Sequence, residues 1–284
     1  MPGPQDDPTE DSPDFYGAEP ALLREEDVRS WIIRDDNDFL VLNKPGGVVC
    51  HPSKNGPWSS LVGACREVFG LERIHLAHRL DRETSGIVLL AKHRASARRV
   101  QMAFSRQATE KTYLALMEGH LGEPIEVDQP LAKDLESEVY IKQTVRSSRS
   151  AQKARTFFSP LWHGDGLTLA LVTPVTGRKH QIRAHARWLN HPLRGDKLYG
   201  PDDRWYLRFI ETGWTPEMAA ALHLPRQALH ASALKVTDSE GEILSFYAPL
   251  PDDLWNECQR CGYPEDRTSF EEMIRAKIEN RYDE

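Results

Sequence analysis

The sequence predicts a single α+β domain with a central, mostly antiparallel sheet and flanking helices. Short apolar runs typical of strands outnumber segments with the 3.6-residue apolar spacing of a helix. These runs follow one another more often than they alternate with helices, which favours an antiparallel sheet over a doubly wound parallel one. A chain of 284 residues, 39% of them hydrophobic, is long enough to bury a substantial core.

The predicted elements begin near residue 31. Strand-like runs lie at 31–34, 39–43, 87–92, 112–118, 139–145, 154–158, 167–173, 228–236 and 243–247. Helical spacing occurs at 58–69, 94–107, 178–190, 252–261 and 269–282, the last interpreted as a surface helix. Acidic, proline-rich residues 1–28 predict a disordered N-terminal segment. Residues 29–250 then form the folded domain, and residues 251–284 form a helical C-terminal extension.

The composition excludes several classes of protein. No stretch approaches the roughly 20 continuous apolar residues of a membrane span, and the N-terminus lacks the basic and apolar regions of a signal peptide. We therefore expect a cytoplasmic protein that does not enter a membrane. Four cysteines are too few for a disulfide framework. Cys258 and Cys261 have the spacing of half a zinc site or of a redox dithiol, but two thiols on a C-terminal helix is the simpler interpretation.

Charge is distributed unevenly along the chain. The formal net charge of −7 combines −7 in residues 1–30, −5 in residues 251–284 and +5 in the body between them. Within that body, residues 142–187 carry nine Lys or Arg against the single acid Asp165. Such a surface can attract a polyanion. Solvated faces also carry charge runs of this kind, so composition leaves both interpretations open.

The segment HRLDRETSG, residues 78–86, places Asp81 between Arg79 and Arg82. Thr, Ser and Gly at its end are turn residues, so the carboxylate is expected on a loop that feeds the strand at 87–92. A neighbouring guanidinium would lower the pKa of Asp81 and keep it ionised, which suits a nucleophile better than a proton donor. A loop-capping aspartate beside exposed arginines is the alternative.

A second polar cluster, TGRKHQIRAH at residues 176–185, follows a strand and opens a helix. Thr176 is a candidate cap, and a helix N-terminus with Arg178 and Lys179 beside it would bind phosphate. At helical spacing, Lys179 and Arg183 share one face and would form part of a basic ridge.

Motifs for a metal or an organic cofactor are missing from the sequence. His180 and His185 are five residues apart, and no carboxylate lies between them, unlike the ligands of an HExxH zinc site. There is no GxGxxG motif and no Walker loop. The sequence therefore predicts neither a metal nor a cofactor.

Taken together, the motifs resemble those of RNA pseudouridine synthases of the RluA type, which isomerise uridine within structured RNA. HRLDRETSG resembles the signature of that family. Further segments match it in the same order: NKPGGVVCHP (43–52), KTYLA (111–115), TGRKHQIRAH (176–185), HPLRGDKLYG (191–200) and LHA (229–231). The resemblance spans about residues 31–250. Family members often begin with a basic module of S4 type, and none is expected here because the N-terminal segment is short and acidic.

The resemblance implies roles for individual residues. Asp81 matches the catalytic aspartate, which attacks the target nucleotide so that uracil detaches, turns and rejoins through carbon. Tyr113 matches the tyrosine stacked beneath the target base, and Arg183 matches the arginine that pairs with the catalytic carboxylate. Arg79 matches an arginine associated with entering the RNA where the base has left. The other residues expected to bind RNA are Arg178, Lys179, His180 and Gln181.

The resemblance thus predicts an RNA pseudouridine synthase, a monomer that modifies ribosomal or transfer RNA without a metal or cofactor. An enzyme that acts on a base inside structured RNA must first extrude it. Two alternatives stay open at this point. One is a glycoside hydrolase with Asp81 and Glu83 as its carboxylate pair. The other is a non-catalytic RNA-binding protein that uses the same basic surface.

Overall fold

The computed structural model describes residues 21–51 and 55–282, and this part of the chain is built around one large sheet. Its strands are β1 (Ile32–Asp35), β2 (Phe39–Lys44), β3 (His75–Leu76), β4 (Ser85–Ala91), β5 (Thr109–Glu118), β6 (Ile125–Asp128), β7 (Leu131–Lys133), β8 (Gln143–Val145), β9 (Arg155–Gly164), β10 (Leu167–Pro174), β11 (Leu229–Thr237) and β12 (Ile243–Tyr247). Its α-helices are α1 (Glu25–Ser30), α2 (Leu61–Phe69), α3 (Arg94–Ser105), α4 (Gln181–Trp188), α5 (Arg204–Thr212), α6 (Pro216–Leu222), α7 (Asp252–Arg260) and α8 (Arg267–Tyr282).

Ten of these strands form the central sheet. Its order is β1-β2-β4-β11-β5-β10-β9-β6, with β12 paired to β11 and β3 paired to β4. All its pairs are antiparallel except β4 with β11, which run parallel. β7 and β8 pair as a separate antiparallel hairpin. The predicted α+β class with a central, mostly antiparallel sheet is confirmed.

In the first half of the sheet, side chains alternate between two faces that are both covered by helices. On β2, Val41 packs with Val100 of α3. Leu42 points the other way and packs with Leu61 of α2. This is the two-residue period of a strand, with both faces apolar because both are buried. All seven residues of β4, the next strand, are buried for the same reason.

The second half of the sheet is covered in the same way. Ala170 of β10 packs with Ile182 of α4, whereas Leu169 packs on the opposite face with Phe270 of α8. The buried residues of α8 are Phe270, Ile274 and Ile278. The helix predicted at 269–282 forms α8, and one apolar stripe of this surface helix packs on the core while its other faces are exposed.

A helix forms in part of the N-terminal segment expected to be disordered. Helix α1 begins in this segment, and its Val28 is fully buried together with Leu23 and Leu61. The prediction of disorder is wrong for residues 21–28, since two apolar side chains in a short acidic stretch are enough to anchor it. Residues 1–20 lie outside the described residues.

Other element boundaries also differ from the prediction. The strand expected at 139–145 is confined to Gln143–Val145, and the helix expected at 178–190 begins only at Gln181. β3, β6, β7, α1, α5 and α6 were not predicted. These elements span between two and nine residues, less than the roughly 11 to 18 residues over which an apolar period can be recognised. Among the described residues, no helix combines the length and apolarity needed to cross a bilayer.

Gly86, the last residue of HRLDRETSG, lies at the start of β4 and allows β4 to approach β11 closely. Its φ is +113°, which disfavours residues with a β-carbon. A β-carbon built there would lie 2.3 Å from the backbone oxygen of Ala231 on β11. The glycine in HRLDRETSG thus fixes where the loop enters the sheet.

Candidate active site

A cavity of about 570 Å³ opens beside the loop that precedes β4. Its wall combines this loop with the start of β5, the end of α3 and the loop between β10 and α4. Of the residues singled out from the sequence, those that line it are Arg79, Asp81, Tyr113, Arg178, His180, Gln181 and Arg183. Lys179 is exposed and does not belong to the wall. The fold therefore brings together segments about a hundred residues apart in sequence.

Arg183 joins Asp81 to a second, fully buried carboxylate, Asp196. Its Nη1 donates to Oδ2 of Asp81 at 3.1 Å. Its Nε and Nη2 donate to the two oxygens of Asp196 at 2.7 and 2.8 Å. Asp196 also accepts hydrogen bonds from the backbone N–H groups of Leu198 and Tyr199. This bidentate contact fixes the guanidinium plane, so that its remaining nitrogen points at Asp81.

Asp81 is held ionised. Burial alone would raise the pKa of Asp81, but the facing His180 and Arg183 lower it by more, to below its ordinary value. The Asp81 side chain remains 27% exposed, on the cavity side. Its Oδ1 accepts no hydrogen bond from the described residues. An ionised carboxylate with one free oxygen is suited to nucleophilic attack.

His180 lies beside Asp81 and not on the protein surface. It precedes α4 with its backbone in the left-handed region, at φ 55° and ψ 18°. Its Nε2 is 3.8 Å from Oδ2 of Asp81, and its Nδ1 is 3.0 Å from the hydroxyl oxygen of Tyr199. Burial, and then the charge of Arg183, lower the pKa of His180 to about 4, so the ring is neutral at neutral pH.

Tyr113 lies on β5, with Val172 of β10 and Ala231 of β11 as its strand neighbours. Its ring is packed between two core clusters and reaches the cavity wall. Burial, and then the negative charge of Asp81, raise the pKa of Tyr113. Its hydroxyl group therefore stays protonated at physiological pH.

Lys44, which was not singled out from the sequence, braces the loop that carries Asp81. Its fully buried Nζ donates to the backbone carbonyls of Pro45, Val48 and Arg82 at 2.8 to 3.0 Å. Burial lowers the pKa of Lys44 to about 8. Because Arg82 follows Asp81 directly, this lysine ties β2 and its turn to the loop that carries Asp81.

Three further buried side chains hold the same loop. Lys197 lies 2.7 Å from the carboxylate of Glu83, Arg226 donates to the backbone oxygen of Glu83 at 3.3 Å, and Gln227 donates to the hydroxyl of Thr84 at 2.9 Å. Glu83 therefore turns toward these groups and does not line the cavity. A glycoside hydrolase needs two carboxylates facing one substrate bond, so this position of Glu83 argues against that alternative.

Gln181 is engaged within the protein. Its Oε1 accepts from the Thr176 hydroxyl at 2.6 Å and from the Arg178 N–H at 3.0 Å. Its Nε2 donates to the Arg155 carbonyl and the Thr156 hydroxyl, both at 2.9 Å. Gln181 thus shapes the loop before α4, and Thr176 braces this loop in place of capping the helix.

The expected basic ridge on α4 is not formed. The helix begins at Gln181, so Arg178 and Lys179 lie in the preceding loop, whereas Arg183 is buried with only 6% of its surface exposed. Arg79 is exposed at the cavity and makes no hydrogen bond or ion pair with a described residue. Arg79, Arg178 and Lys179 therefore present their charges to solvent near the cavity.

A basic loop, residues 146–153, continues this charged surface. Its Arg146, Arg149 and Lys153 are exposed and form no ion pair with a described residue. It is tied to the cavity by Arg178, whose Nε donates to the backbone oxygen of Lys153 at 3.0 Å. Exposed guanidinium and ammonium groups without acidic partners are available to a polyanion.

Comparison with known proteins identifies the family of this chain. The family model described as RNA pseudouridylate synthase matches residues 38–188. The ribosomal large subunit pseudouridine synthase D of Vibrio vulnificus is 33% identical over 236 residues, which cover 81% of this chain and 70% of that protein. The ribosomal large subunit pseudouridine synthase C of Escherichia coli O157:H7 is 34% identical over 225 residues, covering 78% and 67%.

Solved structures agree with these matches. Human RNA pseudouridylate synthase domain containing 4 superposes with a TM-score of 0.65 at 26% identity, over 84% of this chain and 95% of that chain. Human RNA pseudouridylate synthase domain containing 1 gives a TM-score of 0.61 at 25% identity, over 83% and 95%. The family model matches more than half of this chain, and the two relatives are about one-third identical to it over most of its length. The chain therefore belongs to the RNA pseudouridylate synthase family and is an isomerase.

Proposed function

We propose that this enzyme isomerises specific uridines in ribosomal or transfer RNA, with Asp81 as the nucleophile acting on a flipped-out uridine. The observation that carries the proposal is the Asp81–Arg183 contact of 3.1 Å, which keeps the carboxylate ionised and leaves its Oδ1 free in the cavity. The relatives named for the large ribosomal subunit make ribosomal RNA the first substrate to test.

The proposed reaction balances without a cosubstrate. Oδ1 of Asp81 forms a bond to C1′ of the ribose as the N1–C1′ bond breaks, and that electron pair leaves with uracil. The uracil turns within the cavity, and its C5 forms a bond to C1′ and displaces the carboxylate. C5 then loses its proton and N1 gains one, so product and substrate are isomers. We assign Tyr113, which lines the cavity, to contact the base during this rotation.

The charged surface around the cavity supports RNA as the substrate. Flipping a base out of a stack costs a few kcal/mol, which contacts to the extruded base and its neighbours offset. We assign Arg79 to the gap left by the base, and Arg178 with Lys179 to phosphates beside it. We propose a monomer acting in the cytoplasm as the active form, since Asp81, Tyr113 and Arg183 lie together within one copy of the chain.

The deciding experiment maps pseudouridines by carbodiimide chemistry in ribosomal and transfer RNA from cells with and without the gene. Wild-type protein should restore every pseudouridine lost on deletion, whereas Asp81→Asn should restore none. A deletion that removes no pseudouridine would overturn the proposed function. Restoration by Asp81→Asn would favour a non-catalytic RNA-binding role, because that variant keeps the basic surface and loses only the nucleophile.

A further inference from the structure

His180 lies between the catalytic carboxylate and a buried tyrosine. Its side chain is 7% exposed, its Nε2 is 3.8 Å from Oδ2 of Asp81, and its Nδ1 is 3.0 Å from the hydroxyl oxygen of Tyr199. The two rings are nearly perpendicular, at 87°, with their centroids 5.7 Å apart. The reaction proposed above assigns no task to this imidazole.

Tyr199 determines which nitrogen of His180 carries the proton. The backbone N–H of Gln143 is only a donor, so the Tyr199 oxygen accepts it, at 2.8 Å. The hydroxyl proton is then directed at Nδ1 of His180, the other hydrogen-bond partner that the described residues offer it. With Nδ1 as an acceptor, the proton of the neutral imidazole lies on Nε2, which faces Asp81.

The backbone of His180 fits this role. Its φ of 55° lies in the left-handed region, which is unfavourable for residues with a β-carbon. Such conformations persist where the surroundings fix a side chain in a required direction. Here the Tyr199 hydrogen bond on one side and Asp81 on the other define that direction.

Both contacts to Asp81 fall on one carboxylate oxygen. Arg183 Nη1 at 3.1 Å and His180 Nε2 at 3.8 Å approach Oδ2, and the described residues supply no donor to Oδ1. The His180 distance is longer than a hydrogen bond, which is common for catalytic contacts before substrate binds. Arg183 and His180 thus make Oδ2 of Asp81 chemically different from Oδ1.

We propose that His180 is a positioning residue for Asp81: its Nε2–H, oriented by Tyr199, holds Oδ2 and leaves Oδ1 as the attacking atom. The inference rests on the proposed function, because the attack is the first step described there. His180 neither gains nor loses a proton in that step. The Oδ1–C1′ bond that forms is the same bond that breaks when the product is released.

The kinetic experiment compares His180→Gln with His180→Leu on a substrate RNA. The Gln amide nitrogen reaches the place of Nε2 and still donates, whereas Leu fills the space without a donor. We expect kcat to fall about 10- to 100-fold in His180→Leu, with KM changed less than about threefold, and His180→Gln to recover most of the loss. His223→Leu is the matched control, since His223 is also a left-handed histidine, with φ 68°, but is exposed and outside the cavity wall.

Equal losses in both His180 variants would indicate a packing role and overturn the inference, as would kcat of His180→Leu within about twofold of wild type. Thermal unfolding of each variant verifies that the compared proteins are folded. A second measurement does not depend on activity. Nitrogen NMR of histidine-labelled wild-type protein, with the His180 signal assigned from His180→Gln, should show a protonated Nε2 and a bare Nδ1.

The opposite tautomer in that spectrum would overturn the inference even if the enzyme is active. If wild-type protein forms no pseudouridine, the proposed function fails, and the spectrum still decides whether Nε2–H faces Asp81. The two failures are therefore distinguishable.

Discussion

Arg183 serves two carboxylates with three nitrogens, and this geometry explains why an arginine stands at the centre of the site. Nε and Nη2 are used by Asp196, and only Nη1 remains for Asp81. The pKa of Asp196 is also lowered, because the contacts with Arg183 outweigh the burial that would raise it. The same buried cation thus helps to keep both acids ionised.

Arg183→Lys should therefore disable the site although it conserves the charge. One ammonium group cannot span both carboxylates, so Asp81 or Asp196 loses its partner in a buried setting. We expect the free energy of unfolding in urea to fall by about 2 kcal/mol or more and kcat in single-turnover assays to fall by about 100-fold or more.

Arg187→Lys is the control for this change, because Arg187 is exposed one turn later on the same helix. In Arg183→Lys, the pKa of Asp81 should rise, so the acid limb of activity moves to higher pH. Wild-type kcat and stability in Arg183→Lys would contradict the shared-cation geometry.

At the scale of elements, the loop that carries Asp81 is fixed by buried cationic side chains that donate hydrogen bonds to backbone carbonyls. Lys44 contributes three of these contacts, and they link β2 and its turn to the residue after Asp81. A carbonyl buried without a donor costs free energy, so each contact helps to specify one loop conformation. Precise placement of a nucleophile depends on such support.

Lys44→Met should weaken both the fold and the reaction. Methionine fills a similar volume but donates no hydrogen bond. The carbonyls of Pro45 and Val48 then lose this donor, and the Arg82 carbonyl keeps the Gly47 N–H at 2.9 Å but loses the ammonium group. We expect a loss of about 2 to 4 kcal/mol in urea unfolding, together with a lower kcat at temperatures where the variant is folded. Lys277→Met on the exposed side of α8 should change stability by less than about 0.5 kcal/mol. A Lys44→Met protein as stable as this control would show that the carbonyls find other donors.

The same elements show what the sequence could and could not predict. The run at 87–92 indicated β4 because a strand buried on both faces is apolar throughout. No local pattern marks Lys44 as buried, since its distant partner, the Arg82 carbonyl, comes close only when β2 pairs with β4. Likewise, the convergence of Asp81 and Arg183 came from the family resemblance, because periodicity carries no information on contacts a hundred residues apart. The role of His180 also depends on tertiary contacts, with Tyr199 and Asp81.

At the scale of the whole molecule, charge is sorted so that an acidic protein presents a basic surface at its cavity. The basic loop 146–153 and the loop before α4 supply cations that the described acids do not neutralise. Phosphate contacts release counterions, so RNA affinity should depend steeply on salt.

Arg146→Gln, Arg149→Gln and Lys153→Gln in one protein should lower RNA affinity at low salt and flatten its salt dependence. Each lost phosphate contact reduces the slope of log affinity against log salt by about 0.7 to 0.9, so the slope of the triple variant should fall by about 2.1 to 2.7. A triple Gln variant of the exposed Arg66, Arg73 and Lys277, none of which lines the cavity, makes the same change in net charge. Filter binding across a salt series decides the matter, and equal slopes for the two triple variants would rule out the basic loop as a phosphate contact.

The molecule as a whole should also lose stability as pH falls from about 7 to about 4.5, a range in which the histidines of the unfolded chain titrate ahead of most of its carboxylates. Burial lowers the pKa of His78 to about 3, and those of His180 and His230 to about 4, against an ordinary value of 6.5. In this window the unfolded chain binds protons that the folded protein excludes. The free energy of unfolding therefore decreases as pH falls, by at most about 1.4 kcal/mol per pH unit for each histidine.

His230→Gln removes one of these titrating groups, and its amide can still form a hydrogen bond with the Ser85 hydroxyl. Urea unfolding between pH 4.5 and 7 should then show a shallower slope of unfolding free energy against pH than in wild type. His223→Gln, at an exposed site, should keep the wild-type slope, and a His230→Gln slope equal to that of this control would mean that His230 protonates within the folded state.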